Sequence, residues 1–114
     1  MNQQITDMVT YDEYLRMKFK IGQVLECVEV KKSRKLLCLK ISLGSYTKQI
    51  LSGIKNYYDP EELIGKKVVI LENVQPVTMA GMLSEGVLLS AEDKDGKLSV
   101  LIPERDVAIN AEIY

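Results

Sequence analysis

Histidine is missing from this 114-residue chain, and that absence removes Ser/His and Cys/His nucleophilic pairs, the usual proton shuttle near neutral pH, and most zinc sites. Catalysis by the common routes is disfavoured, and no catalytic residue, metal or cofactor is expected. Cysteine is scarce: Cys27 and Cys38 alone cannot form a four-thiolate site within one chain. They fall in patterns that read as neighbouring strands, and buried reduced thiols are the simplest reading, with a disulfide or a reactive thiol as the alternative. No apolar run approaches the roughly 20 residues that cross a bilayer, so no membrane is expected as a partner. The first residues include Asp7, Asp12 and Glu13 and lack the basic start and apolar middle of a secretory signal, which points to the cytoplasm. An excess of positive charge is also missing, since the formal net charge is −1. Internal repeats, low-complexity tracts and linkers are absent as well.

What is present suits one globular domain over residues 1–114, with 46% hydrophobic and 27% charged residues. A chain of this mass buries about two thirds of its unfolded surface, enough for a core without disulfides. The near-zero net charge hides a segregation. Residues 1–30 sum to −2, residues 31–70 to +6, and residues 71–114 to −5. The middle owes its charge to Lys31, Lys32, Arg34, Lys35, Lys40, Lys48, Lys55, Lys66 and Lys67 against Asp59, Glu61 and Glu62. Such a layout gives a nearly neutral protein a positive face toward an anionic ligand, although chance clustering on a solvated surface produces the same sum.

Thr10-Tyr11-Asp12-Glu13 has the spacing of a capping box and predicts a short helix over residues 11–17. From Lys20 the pattern turns to strands. Residues 21–30 are rich in β-formers, and Leu37, Leu39, Ile41 and Leu43 recur at period two. Leu43-Gly44-Ser45 marks a turn into a third strand over residues 46–51. Asp59-Pro60-Glu61-Glu62-Leu63 starts a second short helix, which Gly65 closes. A fourth strand covers residues 67–74 and a fifth residues 86–91. An extra hairpin arm reaches residues 98–102 across Asp95-Gly96. This order predicts an all-β, five-stranded Greek-key barrel of the oligonucleotide-binding (OB) type, with a short N-terminal helix, a helix between strands three and four, and a C-terminal hairpin arm. An SH3-like barrel is the nearest alternative. The barrel core is expected over about residues 18–91, leaving 1–17 and 92–114 peripheral.

Specificity comes from ordered blocks: Lys48-Gln49-Ile50-Leu51-Ser52-Gly53-Ile54, Tyr57-Tyr58, residues 60–69, Asn73-Val74-Gln75-Pro76, Met79-Ala80-Gly81 and residues 84–91. Together they resemble the tRNA-binding OB domain found at the C-terminus of bacterial methionyl-tRNA synthetases and as a free-standing beta subunit. The resemblance runs from about Tyr11 to Ala91. It implies an OB fold, a homodimer through elements outside the barrel face, and shape-directed tRNA binding without catalysis. The partner would be a methionyl-tRNA synthetase catalytic subunit, which the module supplies with tRNA by tethering.

On this resemblance the RNA-binding residues are Lys31, Lys32, Arg34, Lys35, Lys48, Asn73, Gln75 and Ser84. Lys35 falls where the family's RNA-contacting lysine belongs. The family's Asn-Leu-Lys-Pro reads Asn73-Val74-Gln75-Pro76 here and loses a cation. Met79 and Ala80 stand where basic residues often precede the glycine, and Ser84-Glu85-Gly86-Val87 keeps the serine of Ser-x-Gly-Met but loses its Met. Fewer cations imply weaker binding unless Lys31, Lys32 and Arg34 compensate. Each residue also has an ordinary reading. The lysine cluster serves as a solvated hairpin tip, Asn73 and Gln75 cap turns around Pro76, and Ser52 bonds nearby backbone. Gly53, Gly81 and Gly86 fill turns or bulges, and Tyr46, Tyr57 and Tyr58 sit half-buried at element edges instead of stacking on bases. Two other functions remain open at this level: an export chaperone of the CsaA type that binds extended peptides, and a dimerisation module with a decayed RNA face. The apolar residues near both chain ends, Tyr11, Tyr14, Leu15, Val107, Ile109, Ile113 and Tyr114, serve either a dimer or their own barrel.

Overall fold

A computed structural model describes residues 7–114. Helix α1, Tyr11–Arg16, opens on the expected capping box: the Thr10 hydroxyl accepts the Glu13 N–H at 3.0 Å, and the Glu13 carboxylate accepts the Thr10 N–H at 2.8 Å. Strands β1 (Phe19–Glu29), β2 (Leu37–Ser42) and β3 (Thr47–Ser52) follow, then the one-turn helix α2 (Pro60–Leu63) and strand β4 (Lys67–Leu71). The Glu62 carboxylate reaches back to the Asp59 N–H at 2.7 Å and starts α2 where Pro60 has no N–H to satisfy. The rest comprises β5 (Val77–Met79), β6 (Met82–Ser84), β7 (Val87–Leu88), β8 (Ser90–Glu92), β9 (Leu98–Val100) and β10 (Glu112–Ile113).

The main sheet runs in the order β3-β2-β1-β4-β7, all antiparallel, with β10 added to the start of β1. It curls into a nearly closed all-β barrel. Strand β1 serves two partners because it bends: Phe19 to Gln23 pair with β4, Gln23 to Glu29 pair with β2, and the register slips between Val24 and Glu26. Such a bulge bends a strand and increases its twist, which turns one sheet into a barrel wall. Leu25, at the slip, is left exposed. Gly22 permits the tight crossing there, since a Cβ on it would sit 2.5 Å from Ile41 Cγ2. The period-two residues Leu37, Leu39 and Ile41 are fully buried inside with Ile50, Val68 and Ile70, and Leu63 of α2 packs into the same core. Closure between β3 and the far wall uses no ladder of its own. Glu85 N–H donates to the Gln49 carbonyl at 2.7 Å, the Glu85 carboxylate accepts the Gln49 N–H at 2.8 Å, and the Ser84 hydroxyl accepts the Leu51 N–H at 3.0 Å.

Several elements differ from the sequence pattern. The continuous fifth strand expected over residues 86–91 is divided into β7, which pairs with β4, and β8, which leaves the barrel to pair with β9. The hairpin arm across Asp95-Gly96 is present, its turn held by the Asp93 carboxylate, which accepts the Asp95 and Lys97 N–H groups at 2.9 and 3.0 Å. The β5–β6 hairpin and β10 carry no clear local signature: the hairpin turns on Ala80-Gly81, both at positive φ, where Ala masks the usual Asn-Gly or Gly-Gly signal. β4 stops at Leu71, short of the expected residue 74, because beyond it the Glu72 N–H bonds the Lys18 carbonyl at 2.9 Å. Val100 of β9 lies in the barrel core, and the Asn110 N–H bonds the Ile21 carbonyl at 2.7 Å, so the C-terminal segment is built into the barrel edge. Among the described residues no helix is long and apolar enough to cross a membrane.

Candidate nucleic-acid interface

The loop between β1 and β2, residues 30–36, is short, basic and internally ordered. Its ends are joined by the Val30 N–H on the Leu36 carbonyl at 3.2 Å. Within it the Ser33 hydroxyl accepts two backbone N–H groups, from Lys35 at 3.1 Å and Leu36 at 3.2 Å, a local bond that competes with strand pairing and fixes a turn. Lys31, Lys32, Arg34 and Lys35 all point their charges to solvent from this frame. Lys55, after β3, braces it from below. Its N–H donates to the Lys35 carbonyl at 3.0 Å and its ammonium to the Ser33 carbonyl at 3.1 Å, while the Glu29 carboxylate lies 4.0 Å away. Lys55 is not signalled by the sequence, because a contact across 22 residues leaves no local pattern.

Opposite this loop stands the Ala80-Gly81 tip of the β5–β6 hairpin, and between them lies a groove of about 360 Å³. It continues along the outer side of β1, β2 and β3 into a second hollow of about 380 Å³, which Glu26, Lys40, Gln49 and Glu85 border.

The expected RNA-binding residues divide into three groups. Lys31, Lys32, Arg34 and Lys35 share one loop. Lys48, Asn73 and Gln75 belong to the other end of β1, where Phe19 pairs with Leu71. There the Lys48 ammonium donates to the Glu72 carbonyl at 3.2 Å, and the Tyr46 hydroxyl bonds the Glu72 carboxylate. Asn73 ties the connection before β1 to that after β4: its Oδ1 accepts the Lys18 N–H at 2.8 Å, and its Nδ2 donates to the Arg16 carbonyl at 2.7 Å. Gln75 is exposed beside Pro76. Ser84, third, is 2% exposed, and its hydroxyl donates to the Gly86 carbonyl at 3.2 Å as well as accepting from Leu51.

The tyrosines are likewise engaged. Tyr58 accepts the Val100 N–H at 3.1 Å and Tyr57 donates to Glu92 at 3.2 Å. The bond to Glu72, with burial and the Glu72 charge, pushes the Tyr46 hydroxyl up to about 12. Both cysteines are free and buried. They occupy different packing layers, Cys27 in the barrel core and Cys38 in a smaller cluster with Val30 and Leu51 that Met79 and Met82 cover. Burial, then the neighbouring Cys38 and Glu61, pushes the Cys27 thiol up to about 11. That is opposite to what a reactive thiolate needs. Among the described residues no group of three His, Cys, Asp or Glu side chains is placed to hold a metal ion. The arrangement offers cations for phosphate and polar backbone for riboses, the components of shape-directed nucleic-acid binding.

Comparison with known proteins identifies the family. A family model described as "Putative tRNA binding domain" matches residues 19–111. A methionine–tRNA ligase of Parabacteroides distasonis is 42% identical over 109 residues, covering 96% of this chain and 16% of its own length. One of Methanocaldococcus jannaschii is 42% identical over 98 residues, covering 86% of this chain and 15% of its own. The chain thus spans only a small fraction of these relatives. Among solved structures, a MetRS related protein from Pyrococcus horikoshii superposes with a TM-score of 0.88 at 30% identity, covering 95% of this chain and 99% of that one. The chaperone CsaA of Bacillus anthracis superposes with a TM-score of 0.84 at 28% identity, covering 94% and 99%. The chain belongs to the tRNA-binding domain family and is a relative of the domain that methionyl-tRNA synthetases contain.

Proposed function

We propose that this domain binds tRNA without catalysis, through the rim formed by Lys31, Lys32, Arg34 and Lys35, and acts beside a methionyl-tRNA synthetase catalytic subunit in the cytoplasm. The observation that carries this reading is the double brace on the basic loop. Ser33 and Lys55 fix the backbone that carries four exposed cations on one short turn, so little loop entropy is lost when phosphates arrive. Lys48 and Gln75 extend the same role toward the other end of β1, whereas Asn73 and Ser84 enter it as framework. A bound module raises the local tRNA concentration at a tethered catalytic site without adding contacts there. The domain works as a homodimer in this reading. α1 and the C-terminal strand lie together, with Tyr14, Leu15, Ile113 and Tyr114 bordering one hollow, and Tyr11 and Tyr114 are 71% and 97% exposed. Light scattering at micromolar concentration tests this, and a monomer mass of 12.9 kDa would end the dimer proposal.

The decisive experiment is a titration of unfractionated tRNA at two salt concentrations, on the native chain and on a variant with Lys31, Lys32, Arg34 and Lys35 changed to Ala. Binding that weakens with salt, with a shallower slope in the variant, supports the basic rim, since each phosphate contact contributes roughly 0.7–0.9 to the log–log slope. Absence of binding at low salt overturns the reading. The likeness to CsaA favours a second reading, in which the outer groove takes extended peptide. Salt-insensitive binding of unfolded peptide in place of tRNA would select it.

A further inference from the structure

Cys38 belongs to the outer side of the barrel wall, where β2 pairs it with Val28 of β1 and Leu51 of β3. It is 9% exposed and, together with Val28 and Met82, borders both the groove beside the basic loop and the hollow beyond it. Two further sulfurs arrive from the β5–β6 hairpin. Met79 and Met82 are directly opposed across its turn, so their side chains leave one face of the hairpin with Cβ atoms roughly 4.5–5.5 Å apart. That face is turned to the barrel, since Ser84, two residues along β6 from Met82, is buried there and accepts the Leu51 N–H. Both methionines pack on the cluster of Val30, Cys38 and Leu51. Three strands thus bring one thiol and two thioethers to a single cluster that an ion reaches from two hollows.

We propose that Cys38, Met79 and Met82 form a three-sulfur site for a soft monovalent metal ion of the Cu(I) class, a function independent of tRNA binding. The donor set makes the choice of metal. The cluster holds no carboxylate or amide and the chain no histidine, which excludes hard cations and the ordinary zinc sites, whereas thiolate and thioether together suit Cu(I). Charge makes the same choice. A monovalent ion and one thiolate sum to zero, so the pair sits among apolar side chains without a buried net charge. A divalent ion leaves an excess positive charge there, beside Lys31 and Lys32 at the mouth of the groove. On binding, the Cys38 S–H bond breaks, its proton passes to water, and a metal–thiolate bond forms with no change of oxidation state. The two thioethers add as neutral donors and tie the hairpin to β2. Cys27 takes no part, because it is packed in the barrel core with Val24 and Leu39.

The test is a titration of the full chain with Ag(I), a redox-inert ion of the same class, followed by methyl NMR of labelled methionine. Competition for Cu(I) against a chelator without oxygen measures affinity. Met79→Leu and Met82→Leu assign the signals and keep the apolar volume, so the fold is retained. One equivalent of Ag(I) should move the Met79 and Met82 methyls together and leave those of Met8 and Met17 in place. Either leucine variant should lower Cu(I) affinity by about tenfold or more, since even partners outside the ligand shell cost that much. Cys38→Ser should abolish uptake, Cys27→Ala should bind as the native chain does, and Zn(II) should move neither methyl. No uptake by the native chain overturns the proposal. So does uptake with both methyls unmoved, which means capture by a thiol alone, and so does uptake that survives Cys38→Ser or is matched by Zn(II). Each of these results leaves the tRNA reading standing.

Discussion

The Ser84 hydroxyl stands 3.0 Å from the Leu51 amide, and this pair joins β6 to β3 where the barrel wall lacks a ladder. Ser84→Ala leaves the Leu51 N–H buried without a partner, at a cost of about 1–3 kcal/mol. Urea unfolding should show a lowered midpoint with an unchanged slope. The slope of tRNA binding against salt should stay that of the native chain, because a hydroxyl 2% exposed meets no phosphate. A stability equal to the native chain would show that β3 and β6 are held by other contacts.

If the basic loop binds RNA as proposed, Lys55 acts on that binding through Ser33. Removing its ammonium with Lys55→Met deletes the bond to the Ser33 carbonyl and keeps the buried part of the stem. A looser loop should bind tRNA several-fold more weakly, the equivalent of about 1 kcal/mol for one hydrogen bond, with the salt slope unchanged. A slope lower by roughly 0.7–0.9 would mean instead that Lys55 meets a phosphate directly.

Tyr46 predicts a pH effect at the other end of the barrel. Its hydroxyl donates to the Glu72 carboxylate, and that bond first, then burial and the Glu72 charge, raises it from the ordinary value of 10 to about 12. Since the folded value lies above the unfolded one, the contribution is complete below pH 10 and disappears as pH rises through 12. A spectrophotometric titration of the native chain minus that of Tyr46→Phe should show one phenol ionising near 12. A difference step at 10 would mean that the bond to Glu72 does not persist in solution.

Much of this architecture is legible in local pattern because its causes are local. The Thr10–Glu13 capping box closes within three residues, and the alternation through Leu37, Leu39 and Ile41 reflects a pleat with one buried face. The basic rim was equally readable, since Lys31, Lys32, Arg34 and Lys35 are neighbours in the chain. The β5–β6 hairpin was not, because Ala80 occupies a left-handed position that Asn or Gly usually signals. The division of the fifth strand was not either. Val87 and Leu88 follow β4, whereas Ser90 and Ala91 follow β9, and no single residue marks the change of partner.

Sequence alone thus determined the all-β class, the order of the elements as far as β4 and the positively charged middle, which arise from periodicity, turn chemistry and composition within short windows. Tertiary structure decided what those charges and polar groups do. Lys55 became a brace and Asn73 a tie between segments 55 and 57 residues apart, and Ser84 went inside the wall. The physical reason is the same in each case: a backbone donor or acceptor left unpaired on closing the barrel must be satisfied by whatever side chain the fold brings near. That choice depends on distance in space and leaves no periodic trace along the chain.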